Sequence, residues 1–180
     1  MSETRVVYHN RAFDFVELTE AGSSPKAFVR HPGSVAIVPL LERDGETYVV
    51  LVRQSRVATG DRLLELPAGT REEGEAAEVT ARRELPEEVG YAAGRMEPLG
   101  GFYLAPGYSS EFMHVFLATE LSEEKAEGDE DEVDLETELL PLAEAVARAG
   151  RGEFDDVKTV AALLMVAARG EGKGRKGGED

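Results

Sequence analysis

The 180-residue sequence contains no cysteine. That absence removes disulfides, thiolate zinc sites and cysteine nucleophiles together, so any bound metal has to sit on oxygen or histidine. Side-chain amides are nearly missing as well, Asn10 and Gln54 being the only two; a heat-adapted source and a biased genome both fit that scarcity. Positive charge is in short supply, with 20 Lys and Arg against 36 Asp and Glu and a formal net charge of -16. Such a surface repels phosphates at long range, which excludes a protein that coats nucleic acid or an anionic membrane. Small anionic substrates stay open if cations neutralise the contact. No apolar run approaches a membrane span, and MSETRVVYHN lacks the apolar core of a secretory signal. A cytoplasmic protein that binds neither membrane nor nucleic acid is expected.

What is present fits one domain with tails. Alternation in AFDFVELTE (12–20) and the compact KAFVR (26–30), separated by AGSSP, predict an antiparallel ribbon. SVAIVPLLE (34–42) and TYVVLVRQ (47–54), joined by the turn RDGE, predict a central buried hairpin, with Pro39 marking a bulge or an edge. RLLELPAG (62–69) reads as a short strand entering a loop, and EPLGGFYLA, EFMHVFLATEL and DLETELL as further strands. Helices are expected from about Glu75 to Val89, over LAEAVARAG after Pro141 with a stop at Gly150, and over DDVKTVAALLMVAARG. In the last, Val157, Val160, Ala161, Leu164, Met165 and Ala168 form the expected core stripe and Asp155 the expected cap. The boundaries that follow are 1–32 for a strand extension, 33–169 for the main domain and 170–180 for a disordered tail with nothing to bury.

The stretch RRELPEEVGY (82–91) carries the chemistry. On a helix Glu84, Glu87 and Glu88 share a face, and three carboxylates that close repel unless solvent screens them or a multivalent cation lies between. Upstream, Pro67 and Gly69 suit a tight loop, and Glu75 falls where a helix begins. Gly69, Glu75, Arg83, Glu84, Leu85, Glu87, Glu88 and Gly90 stand at the spacing of the Nudix hydrolase signature, with Tyr91 aromatic where an aliphatic residue is usual. The chain thus resembles that family. The resemblance implies an α/β fold, an α/β/α sandwich with a mixed central sheet, here with an N-terminal antiparallel strand extension. It also implies Mg2+, or Mn2+, held against a diphosphate by Glu84, Glu88 and the Ala68 carbonyl, with Glu87 completing or bridging the site. Oxygen ligands suit both ions. Arg83 orients a glutamate in this reading, while Glu75 either serves the helix start or joins the metal. Pro86 sits at a free position of the signature; its ring points away from the glutamate face, so the helix is expected to run through it with a kink or local unwinding.

Flanking residues resemble the ADP-ribose pyrophosphatase subgroup over roughly residues 30 to 168: HPGSVAIVPLL, VLVRQSR, LELPAG, and Pro106 in LAPGYSSE, sixteen residues after Gly90. The resemblance implies a nucleoside diphosphate substrate, with Arg53 and Arg56 approaching phosphates or adenine, Glu65 and Glu111 touching ribose or metal, and the N-terminal strands exchanged across a homodimer. Guanidinium groups suit phosphates and bases. Within the acidic run 123–138, Glu130 matches the general base of such enzymes, with Glu132 as the next candidate. His31 and His114 are expected to be structural, the latter hydrogen-bonded within a strand. GDP-mannose, FAD and dinucleoside polyphosphates are the alternative substrates, and a non-catalytic nucleotide-sugar sensor is the alternative class.

Overall fold

Three β-strands at the N-terminus, β1 (Ser2–His9), β2 (Asp14–Glu20) and β3 (Lys26–Arg30), pair in that order into a small antiparallel sheet. They belong to a computed structural model that describes residues 2–124 and 134–174. β1 carries no burial signal in the sequence, and every one of its residues is exposed; it exists by pairing with β2, from Ser2 opposite Glu20 to His9 opposite Asp14. β3 ties this sheet to the main body. Val29 donates its amide to Tyr108 O at 2.8 Å and accepts from Ser110 N at 2.9 Å.

The second sheet has seven strands and is mixed. β4 (Ser34–Arg43) lies at its centre, parallel to β9 (Phe112–Glu123) and antiparallel to β5 (Glu46–Arg56) and the short β7 (Ala68–Thr70). β6 (Asp61–Glu65) and β10 (Glu136–Pro141) flank β5, and β8 (Tyr91–Tyr103) closes the far edge on β9. The β4–β5 turn places Asp44 at φ 54° and Gly45 at φ 82°, the two left-handed residues of a tight hairpin. Pro39 lies on an interior strand, at the break where β4 stops pairing with β7 at Ala36 and starts pairing with β5 at Leu40. A missing amide is tolerated at such a break.

Alternation along β4 and β5 feeds two cores. Val35, Ile37, Val50 and Val52 pack with Ala81, Leu85 and Val89 of α1 (Ala77–Val89), while Val38, Val49 and Leu51 pack with Ala145, Ala149, Ala162 and Leu163 of α2 (Leu142–Gly150) and α3 (Val157–Gly174). Helices therefore cover both faces of the sheet, which is the expected α/β/α sandwich. No helix among the described residues is long and apolar enough to cross a membrane.

α3 departs from expectation in phase, cap and length. Its buried residues are Lys158, Thr159, Ala162 and Leu163; of the expected stripe, Val160 and Met165 pack half-buried against the core, whereas Val157 and Leu164 are exposed. Asp156, one residue later than Asp155, accepts the Thr159 amide at 3.0 Å and is the cap. Periodicity alone favoured the more apolar stripe; polar partners for Lys158 and Thr159 decide the phase instead. The helix also passes Gly170 and reaches Gly174.

α1 runs unbroken through Pro86, which is buried, and stops at Gly90, whose φ of 73° and bond to Pro86 O form a left-handed cap. Pro86 lacks the amide that would reach Arg82 O, a defect of about 3 kcal/mol in a regular helix interior. Pro86→Ala is expected to raise the melting temperature by about 3 °C, the regained bond outweighing the lost ring contacts. Calorimetry showing a lower value would mean that ring packing dominates.

Candidate active site

α1 presents Glu84 and Glu88 on the face that meets β7, because residues four apart stack one above the other. Glu84 is only 9% exposed. A Cβ at Gly69 would lie 1.9 Å from its Cδ, so the bare backbone at 69 is what lets this carboxylate lie there. One position earlier, the Ala68 amide donates to Glu88 Oε2 at 2.9 Å. Arg83 stands beside the pair, 2.8 Å from Glu84, 3.1 Å from Glu87 and 3.6 Å from Glu75, while its buried Nε has no hydrogen-bond partner among the described residues. Burial opposes its charge, but Glu84, Glu75 and Glu87 outweigh that and raise its pKa. Glu75 caps the loop entering α1: its Oε2 accepts from the Glu72 amide at 3.0 Å and the Thr80 hydroxyl at 2.9 Å. The Glu72 amide chiefly, then Thr80 and Arg83, hold its carboxyl below the usual range against the effect of burial.

Among the described residues no three His, Cys, Asp or Glu side chains converge as a ready metal cage. The donor chemistry nevertheless fits a hard divalent cation. Two carboxylates flank one glycine-bearing strand, the residue whose amide reaches Glu88 also carries the carbonyl expected as a third ligand, and every donor is oxygen. Glu87 is turned to Arg83.

The remaining expected residues fall into separate groups. Arg56 grips Glu65 with two nitrogens, Nε to Oε1 at 2.8 Å and Nη2 to Oε2 at 2.6 Å. Glu65, expected to touch ribose or metal, is 1% exposed, and Lys158 also holds its Oε2. Burial raises the Glu65 pKa, and the bonds and charges of Arg56 and Lys158 more than reverse this, leaving it lowered. Arg53 pairs with Glu138 at 2.8 Å. Pro106 lies in the turn closed by Ala105 O, which accepts from Tyr108 and Ser109 amides, and Glu111 accepts from the Ser34 hydroxyl at 2.7 Å. His31 Nδ1 accepts from the Gly33 amide at 3.0 Å. His114 meets the edge of Phe112 with ring centroids 4.9 Å apart, and burial, then Arg71, lowers its pKa; the hydrogen bond expected for it is not made among the described residues. Glu130 and Glu132 lie outside the described residues.

A cavity of about 880 Å³ opens beside Glu84 and Arg83, walled by the β1–β2 turn (residues 9–14), Arg30, His31 and the loop 70–73. Its cations Arg11, Arg30 and Arg71 were not picked out from the sequence, since only the fold brings the N-terminal turn against the loop after Gly69. Lys158 was missed for another reason: it sits off the more apolar stripe of α3.

A glutamate-bearing helix packed on a glycine strand, between the layers of an α/β/α sandwich, defines a carboxylate site for metal-assisted chemistry. A family model described as NUDIX domain matches residues 30–163, and the chain belongs to the Nudix family. It is 41% identical over 150 residues to an ADP-ribose pyrophosphatase of Bacillus subtilis (strain 168), covering 82% of this chain and 79% of that one. It is 42% identical over 153 residues to a methanol dehydrogenase activator of Bacillus methanolicus, covering 83% and 80%. The crystal structure of an ADP compounds hydrolase superposes with a TM-score of 0.75 at 30% identity, covering 96% of this chain and 94% of that one.

Proposed function

We propose that this protein hydrolyses the diphosphate of ADP-ribose, giving AMP and ribose 5-phosphate. The observation that carries the reading is the Gly69–Glu84 and Ala68–Glu88 packing in a chain with 41% identity to an ADP-ribose pyrophosphatase over 79% of its length. Held by Glu84, Glu88 and the Ala68 carbonyl, with Glu87 beside them, Mg2+ (or Mn2+) supplies neutralisation of the diphosphate charge. Arg83 fixes the direction of the glutamates. Arg56 offers the phosphates a nitrogen, Nη1, that Glu65 leaves free, and Arg53, paired with Glu138, lies three residues earlier on the same strand. Glu111 and Pro106 shape the loop beside the cleft. Glu130, or Glu132, takes the proton from the attacking water as one P–O bond forms and the bridging P–O bond breaks. In this reading the protein is a cytoplasmic homodimer that exchanges its N-terminal strands. The exposed Val6, Val7, Tyr8 and Phe15 on that sheet support the exchange.

The test is incubation with ADP-ribose, GDP-mannose, FAD and a dinucleoside polyphosphate in Mg2+, with products identified by mass spectrometry. AMP and ribose 5-phosphate are expected to form fastest from ADP-ribose. Absence of AMP from that substrate would overturn the assignment.

A further inference from the structure

A buried lysine on α3 has no part in the chemistry above. Lys158 is 6% exposed, an unusual place for an ammonium group unless it is paired. Its Nζ meets Glu65 Oε2 and, at 3.0 Å, Asp156 Oδ2. Asp156 in turn accepts from the Thr159 amide and hydroxyl, and Thr159 Oγ1 accepts the Leu66 amide at 2.8 Å. The first turn of α3 thus grips two successive residues, Glu65 by its side chain and Leu66 by its backbone. Glu65 passes the grip on to Arg56 through the two-nitrogen fork. Arg56 has a 41% exposed side chain and its Nη1 makes no hydrogen bond among the described residues; its pKa is raised first by the bond to Glu65 and, after the charge of Glu65, by that of Glu88.

We infer that Lys158 is a positioning residue: it anchors Glu65 in the core so that Glu65 aims the Arg56 guanidinium at the substrate diphosphate. A carboxylate held by two cations is fixed in direction: the Arg56 fork takes both Glu65 oxygens and Lys158 Nζ meets Oε2 as well. With Arg56 alone, the buried carboxylate would turn toward it and draw the guanidinium inward. The inference rests on the proposed diphosphate chemistry for its ligand class, while Lys158 touches neither substrate nor the glutamates of α1.

Lys158→Met is expected to raise KM for ADP-ribose about tenfold with kcat within about threefold, the signature of lost binding shared by ground and transition states. Its melting temperature should fall by roughly 10 °C, because the buried Glu65 loses one of its two cationic partners. The charge-neutral pair Glu65→Gln with Lys158→Met is expected to recover most of that stability and keep the raised KM, since Arg56 still lacks a fixed anion. Combining Lys158→Met with Arg56→Ala should add little to the KM of Arg56→Ala alone. An unchanged KM in Lys158→Met, a KM that returns to normal when stability returns in the neutral pair, or full additivity with Arg56→Ala would each overturn the inference. If the parent protein releases no AMP from ADP-ribose, the functional reading fails, and the same comparison is made by calorimetry with inorganic pyrophosphate as the probe. Weaker binding in Lys158→Met then supports the positioning role, and equal binding removes it.

Discussion

Glu84→Gln is expected to lower turnover of ADP-ribose by at least about 10³-fold, roughly 4 kcal/mol of barrier, while leaving the fold intact. Glutamine keeps the volume of the side chain that packs against Gly69 but gives up the charge a hard cation needs. Arg83 retains Glu87 at 3.1 Å and Glu75 at 3.6 Å, so the loss of one anion does not leave the guanidinium stranded. Glu88→Gln should behave alike; its amide oxygen can still accept the Ala68 N–H, so the β7 contact persists while the metal affinity drops. Steady-state rates across a Mg2+ titration, circular dichroism, and Mn2+ binding followed by electron paramagnetic resonance read the three consequences separately. Parent-like hydrolysis by both variants would show that these carboxylates do not hold the metal.

Gly69→Ala should disable the enzyme from the opposite side of the same contact. The added Cβ would fall 1.9 Å from Glu84 Cδ and 2.1 Å from Oε1, where real Cβ contacts essentially never come under 3.0 Å. Gly69 is not in the left-handed region, so the difficulty is space and not backbone conformation. Relief requires Glu84 to leave its buried position or β7 to move off β4. A destabilisation of about 2–3 kcal/mol is expected, with activity reduced about as far as in Glu84→Gln. The second substitution Glu84→Ala removes the obstructing atoms and should restore most of the stability without restoring turnover, a coupling that urea denaturation of the four proteins in the cycle measures. Were Gly69→Ala as stable and as active as the parent, the Glu84 carboxylate would have to sit elsewhere.

The central hairpin, the helix through Pro86 and the shared face of Glu84 and Glu88 were legible in the sequence. Each rests on a local rule: alternation for the buried strands, positive φ in RDGE, and four-residue spacing on a helix face. α3 was misread because its side chains obey a non-local term. Lys158 and Thr159 are buried by partners on β6 and at Leu66, ninety-three residues away in sequence, and no window of the chain contains that information. The same holds for Glu65. LELPAG shows an acid before a tight loop, but only the folded chain shows both its oxygens already taken. β1 was invisible for want of any buried residue, and no motif marks the cavity beside Glu84, because much of its wall comes from the β1–β2 turn.

The placement of β7 has a dynamic consequence. Its three residues pair with 34–36 of β4, and those same residues pair with β9 on the other side and include the fully buried Val35 and Ala36. Amides of a central strand paired on both sides are among the last to exchange with solvent. The wall behind Glu84 and Glu88 is therefore among the slowest-breathing parts of the molecule, and any motion that admits substrate has to arise in segments that do not pair with β4.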